Sequence, residues 1–325
     1  MSELHKFLFD GLPVRGTLVR LTDAWTDILR RRATGGAAGA YPLPVQNMLG
    51  EMAAAAVLMQ SNIKFDGSLI LQILGDGPVK LAVAEVQPDF GLRATATVIG
   101  QLAADASLSS LVNVNNKGKC AITLDPKTRF PGQHPYQGVV PLCGGAQEKL
   151  EKLSEVLEHY MRQSEQLDTT LVLAADDQVA AGLLIQRLPL TGARNLVGQT
   201  HEDESGLNEH YRRIAILASS LKREELLALD AQTILRRLFW EEGLIHFAPL
   251  AGDPAPHFSC TCSRERVSQM IARLGLEEAQ SILAERGDIE VGCEFCGAQY
   301  RFDQIDAAQI FSVAGNLPPA STAVQ

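Results

Sequence analysis

The sequence predicts an α+β N-terminal domain with an antiparallel sheet and packed helices, then a helical linker, then a small C-terminal four-cysteine zinc domain. Three observations carry this prediction. Apolar strand patterns between residues 14 and 98 are joined by tight turns such as Leu74-Gly-Asp-Gly-Pro-Val79, and hairpin-linked strands build antiparallel sheets rather than doubly wound ones. Beyond residue 207 the apolar residues recur at helical spacing, with no strand pattern among them. Near the C-terminus, Cys260-Thr-Cys262 and Cys293-Glu-Phe-Cys296 gather four of the six cysteines into two close pairs, 30 residues apart. At 325 residues the chain exceeds one ordinary core. The expected division is a core domain over 1–188, a linker over 189–248, a zinc-binding domain over 249–305 and an unstructured tail over 306–325.

Residues 14–21 alternate like a half-buried strand, and residues 22–32 place Trp25, Ile28 and Leu29 on one helical face. The glycines at 35–39 break the chain, and Pro42 and Pro44 open a small-residue helix running to about Gln60. Strands are expected over 68–74, 79–86 and 92–98, with a shorter one over 121–124. A stretch rich in proline and glycine, 131–145, precedes an expected long helix over 147–165. Strands over 169–174 and 179–185 complete the domain, and 189–201 reads as a loop.

In the linker, Leu207, Tyr211, Ile214, Leu217 and Leu221 mark one helical face, which Leu226, Leu227 and Leu229 extend. Asp230 is a candidate N-cap for a helix carrying Ile234, Leu235, Leu238 and Phe239. Such helices must bury their apolar stripes against a neighbour, so their stability is borrowed. Between the cysteine pairs, Val267, Met270, Ile271 and Leu274 form a helical stripe ending at Gly275, and a second short helix over 277–286 stops at Gly287. Short strands over 289–291 and 299–302 flank the Cys296-Gly297 turn, and Pro318 and Pro319 mark the tail.

Composition removes several functions. No apolar run approaches the roughly 20 residues that span a bilayer, so no membrane partner is expected. The N-terminus lacks the charged-then-apolar pattern of a signal peptide, and the chain reads as cytoplasmic, where cysteines rest as thiols or metal ligands. A net charge of −9 argues against nucleic acid, whose binding rests on neutralising phosphates. The cysteine region repeats the point: residues 257–303 hold 8 acidic and 5 basic side chains.

Four sulfurs in two close pairs can close a tetrahedral zinc site through Cys260, Cys262, Cys293 and Cys296. The same sulfurs can also oxidise to disulfides. Four thiolates leave no open coordination position, so the site is not expected to be catalytic; His257 is a competing ligand only if one sulfur drops out. Cys120 and Cys143 have no partner spacing and read as buried apolar thiols. Neither G-x-S-x-G nor H-E-x-x-H occurs, Gly75-Asp-Gly77 reads as a turn rather than a phosphate loop, and no enzyme is expected.

The cysteine pattern closely resembles the zinc switch of the heat shock protein 33 family of redox-regulated chaperones. So do Tyr41-Pro-Leu-Pro-Val-Gln-Asn-Met-Leu-Gly-Glu51, Leu74-Gly-Asp-Gly-Pro-Val79, Tyr136-Gln-Gly-Val-Val-Pro-Leu142 and Tyr160-Met-Arg-Gln-Ser-Glu-Gln166. The resemblance covers roughly residues 4–305. It implies an ATP-independent holdase that is inactive while reduced, with one Zn²⁺ per chain, and is activated by peroxide or hypochlorous acid, often with unfolding stress. It also implies disulfides Cys260–Cys262 and Cys293–Cys296 in the oxidised state, loss of zinc, an unfolded linker, and homodimers that bind unfolding client proteins.

An energy comparison supports the implied switch. Structural zinc contributes about 10–16 kcal/mol in small modules. Disulfides closing loops of three and four residues contribute only about 1.5–2 kcal/mol each. A constitutive zinc-ribbon interaction module without redox switching is the alternative reading, and a zinc hydrolase is weaker because the ligand set is closed.

Overall fold

A computed structural model describes residues 1–35, 39–128, 130, 132–145, 147–189, 201–252 and 254–314, and for 201–207, 313 and 314 only the backbone. The loop expected over 189–201 lies mostly outside these residues, as do the tail from 316 and the side chain of Leu207. The chain divides into two compact units: Met1–Arg30 with Ala40–Ser259, and Arg31–Gly39 with Cys260–Gln325.

The larger unit is built on two sheets and is α+β, as the sequence predicts. Strands β1 (Glu3–Phe9) and β2 (Val14–Leu21) form an antiparallel pair, followed by helices α1 (Asp23–Thr34) and α2 (Leu43–Asn62). Strands β3 (Gly67–Leu74), β4 (Val79–Val86) and β5 (Gly91–Val98) form a meander, and the short helix α3 (Leu108–Val112) leads to β6 (Lys119–Pro126) and β7 (Tyr136–Pro141). Helix α4 (Leu153–Tyr160) runs into a π-helical turn, Met161–Glu165, ahead of β8 (Thr169–Ala175) and β9 (Ala180–Arg187). The linker folds as α5 (His201–Ser219), α6 (Arg223–Ala228) and α7 (Ala231–Leu238), followed by two very short strands, β10 (Leu244–His246) and β11 (His257–Phe258).

The five-stranded sheet has the order β10-β1-β2-β9-β8, and the six-stranded sheet β11-β5-β4-β3-β6-β7. All pairs are antiparallel except β11 with β5. Helix α2 packs against strands of both sheets. It is apolar nearly all round, as a helix without a wet face must be: Leu49, Met52, Val57 and Leu58 are fully buried, and so are four consecutive alanines, Ala53 to Ala56. Gly50 keeps this packing close, because a Cβ there would lie 2.4 Å from the Ala175 methyl.

The five-stranded sheet contributes to a core on each face. Leu4, Val19, Leu21, Ala180 and Leu184 join the core around α2. Phe7, Phe9, Val14, Leu18, Ala181, Leu183 and Ile185 join a second core with Ile214, Leu221, Leu226, Ile234, Leu235 and Phe239 of the linker. The linker therefore has the neighbour its apolar stripes require. Phe239 meets Phe9 edge-on, ring centroids 5.1 Å apart. Arg20 donates to the carbonyls of Leu226 and Leu227 at the C-terminal end of α6, and Arg223 lies 3.9 Å from the Glu51 carboxylate on α2.

Several expectations need correction. Residues 147–152 are not helical: Gln147 is left-handed (φ 61°), Gly144 N–H donates to Glu148 O, and Cys143 bridges to Lys149. The glycines before it let the chain turn back, and α4 starts where the Glu155 carboxylate accepts the amides of Glu151 and Lys152. The linker is not purely helical, since β10 pairs with β1. Its stripe is also broken, because extended residues Lys222 and Leu229 bound α6 as a separate helix. Asp230 does cap α7, accepting from Thr233 N–H at 2.9 Å.

Candidate metal centre

The smaller unit carries the four cysteines on short elements: α8 (Arg264–Leu274), α9 (Leu276–Arg286), β12 (Ile289–Gly292), β13 (Gln299–Phe302) and α10 (Gln304–Ala314). Helix α10 occupies residues that the sequence assigns to the tail. Asp303 accepts the Ile305 and Asp306 amides, which starts the helix, and Ala307 packs into the unit's core.

The first pair sits between β11 and α8. Ser263, directly after Cys262, caps α8 by accepting from Arg266 N–H at 3.3 Å. The second pair sits on the turn between β12 and β13, where Cys293 N–H donates to Ala298 O and Gly297 N–H to Cys293 O, each at 2.8 Å. Gly297 adopts φ +73°, which favours glycine and lets the amides of the turn face the sulfurs. Apart from the cysteines, the module is held by a small core, on which Ile282, Val291, Tyr300, Ile310 and Phe311 pack, and by Arg264, which lies over the Phe302 ring and pairs with Asp306. Its core among the described residues is Val267, Ile271, Ala279, Leu283, Ile289, Phe302 and Ala307.

The ligand atoms of Cys260, Cys262, Cys293 and Cys296 all lie within 4.8 Å of one another, with Cys260 and Cys293 sulfurs 3.7 Å apart and Cys262 and Cys296 sulfurs 3.3 Å apart. Tetrahedral bonds of about 2.3 Å place sulfurs about 3.8 Å from each other, so the donor set fits zinc in chemistry and in spacing. All four residues are half-buried. Burial pushes the Cys293 and Cys296 thiols up against the amides that face them. At Cys262 burial also pushes upward, but the Tyr300 hydroxyl and the neighbouring thiols outweigh it and bring the thiol down to about 7. Tyr300 Oη donates to Cys262 Sγ at 3.1 Å.

His257 stands apart from this set: its backbone belongs to β11, and its Nδ1 lies 3.1 Å from Ala255 O. Cys120 is fully buried, and burial drives its thiol to about 12. Cys143 is only half-buried, contrary to expectation, because it lies in the turn that replaces the start of the long helix. Tyr300 and the Arg20 and Arg223 contacts to the linker and core have no signature in the sequence. Glu51, the one ionisable side chain of α2, is a partner in these contacts that composition could have flagged.

A family model described as Hsp33 protein matches residues 2–303. The 33 kDa chaperonin of Chromobacterium violaceum is 45% identical over 310 residues, covering 95% of this chain and 94% of that protein. The 33 kDa chaperonin of Neisseria meningitidis serogroup B is 40% identical over 320 residues, covering 96% and 94%. The crystal structure of the 33 kDa chaperonin (heat shock protein 33 homolog) from Thermotoga maritima matches with a TM-score of 0.70 at 19% identity, covering 97% of this chain and 99% of that one. At that identity the last likeness concerns the fold alone. No helix among the described residues is long and apolar enough to cross a membrane. The chain belongs to the Hsp33 family, a chaperone family, and its cysteine cluster is compatible with a metal site and a redox switch.

Proposed function

We propose that this Hsp33-family protein is an ATP-independent holdase chaperone of the cytoplasm, switched on by oxidation of Cys260, Cys262, Cys293 and Cys296. In the reduced state these four sulfurs hold one Zn²⁺ per chain. Zinc, when bound, keeps the sulfurs as thiolates at neutral pH and crosslinks a module whose own core is small.

The oxidant is a peroxide or hypochlorous acid. With a peroxide, a thiolate attacks one oxygen of the O–O bond and becomes a sulfenic acid as hydroxide leaves. The neighbouring thiolate then displaces hydroxide from that sulfur and closes the disulfide. Each disulfide passes two electrons to one peroxide, so two peroxides oxidise the cluster. Pairing within each motif gives Cys260–Cys262 and Cys293–Cys296, and the paired sulfurs give up the metal. The two new crosslinks replace only a few kcal/mol of what is lost, and the module unfolds.

The chain between Cys260 and α7 offers a route to the linker. Among the described residues its only regular elements are β11, two residues long, and β10, three residues long, each at a sheet edge. Short edge strands open at low cost. Once they open, α5–α7 can leave the five-stranded sheet, and Phe7, Phe9, Leu18, Leu183 and Ile185 then face unfolding clients together with the linker's own stripe. The oxidised protein acts as a homodimer.

The observation that carries this reading is the pairing of a thiol cluster in a weakly cored module with a linker that covers an apolar sheet face. The test follows aggregation of a chemically unfolded client with reduced and with peroxide-treated protein, alongside zinc release. Suppression should appear only after oxidation and in step with zinc release. Suppression by oxidised protein that retains its zinc would sink the mechanism, and equal binding of one folded partner in both states would indicate a constitutive zinc ribbon.

A further inference from the structure

We propose that Tyr300 sets how readily Cys262 is oxidised, by donating its hydroxyl hydrogen to the Cys262 sulfur. The inference rests on the redox reading above and assigns part of its threshold to a residue outside the cysteine motifs. Tyr300 lies on β13 opposite Val291 of β12, its ring packs against the module's core, and its Oη stands 3.1 Å from Cys262 Sγ. Strand register fixes the backbone and core packing fixes the ring, so the hydroxyl is held at the sulfur rather than sampling it.

The other pair is served differently. Cys293 Sγ faces the amides of Phe295 and Cys296, and Cys296 Sγ faces the amide of Ala298. Those donors come from the same turn as their sulfurs. The donor to Cys262 comes from 38 positions along the chain, so it serves the sulfur only while β13 is folded against the C-x-C segment. A hydrogen bond to a thiolate occupies a lone pair and draws charge from the sulfur, which slows its attack on the peroxide O–O bond. Cys262 is therefore restrained by the fold of the module, and a stress that loosens β13 removes the restraint before any sulfur has reacted.

Tyr300 is a positioning residue, and its test keeps the ring while removing the donor. Reduced, zinc-loaded full-length protein and its Tyr300→Phe variant are exposed to peroxide. Zinc release is followed by a chromogenic chelator, and oxidation at each cysteine by timed alkylation and mass spectrometry. Loss of one charge-assisted hydrogen bond should speed oxidation at Cys262 about tenfold, with Cys293 and Cys296 changed much less. Replacement of Tyr300 by 3-fluorotyrosine, whose more acidic hydroxyl donates more strongly, should slow Cys262 below the natural protein. That replacement decides the question alone if Tyr300→Phe takes up less than one zinc. Unchanged Cys262 rates, or both replacements moving the same way, would overturn the assignment. A natural protein that binds no zinc, or whose cysteines peroxide leaves reduced, would instead end the redox reading itself.

Discussion

The two units of this chain are built on very different cores. The larger has a helix that is apolar nearly all round, seated against two sheets, and a second core on the far face of one of them. The smaller has seven buried apolar residues among those described and four clustered sulfurs. Burial is distributed over many side chains, so the loss of any one removes only a fraction of it. A crosslink through four atoms fails all at once. On the proposed function, a protein that must remain partly folded while becoming sticky has reason to use both, and to place the fragile means where the signal arrives.

Metal removal is the strongest test of that contrast. Chelation of the zinc-loaded protein, or Cys296→Ser, should remove stabilisation on the order of 10 kcal/mol from the module. Amides over 264–286 should then exchange freely while those of α2 remain protected. Loss of protection in both regions together would mean that the two units are not separately stabilised.

A smaller perturbation addresses the linker's docking. Phe239 is 2% exposed and meets both Phe7 and Phe9. Phe239→Ala should weaken docking by about 3–5 kcal/mol and give measurable holdase activity in the reduced, zinc-bound state. Activity still wholly dependent on oxidant would place the controlling contact elsewhere.

Gly50→Ala probes the larger unit alone. The new methyl would meet Ala175 and the Trp25 ring, and overpacking of this kind costs about 1–3 kcal/mol. Denaturant unfolding of the N-terminal unit should shift accordingly, with zinc uptake unchanged.

The finest adjustment is by pH. Burial raises the Glu51 carboxyl to about 7, against the pull of Arg223. An acid raised in the folded state holds its proton more tightly there than in the unfolded chain. Its contribution to stability is therefore full below about pH 4.5 and lost as pH rises through 7. Unfolding midpoints of the natural protein should fall between pH 5 and pH 8 by more than those of Glu51→Gln, a difference of about 1–2 kcal/mol. Equal pH slopes would show that Glu51 stays solvated.

Much of this architecture was legible in the sequence, and the reasons follow the same contrast. Helix α2 and the strands β3 to β5 announce themselves because apolar periodicity and tight turns are local properties. The four cysteines announce their clustering, and with it a candidate metal centre, because ligand spacing is local too. Strand β1 was missed because Glu3, His5 and Lys6 interrupt Leu4, Phe7 and Phe9. Strand β7 was missed because it is an edge strand, mostly exposed, and shows no alternation of burial. Strands β10 and β11 are too short for any pattern, and their pairing partners lie far away in sequence. Tyr300 is invisible for a similar reason, since the sulfur its hydroxyl bonds lies 38 positions distant.

The strand β9 carries a further consequence. Its run Ala180-Ala-Gly-Leu-Leu-Ile185 leaves no side for water, so both of its faces need cover. On the proposed function, oxidation therefore does not make the adhesive surface: the apolar face is already present in the folded chain, and the linker helices cover it.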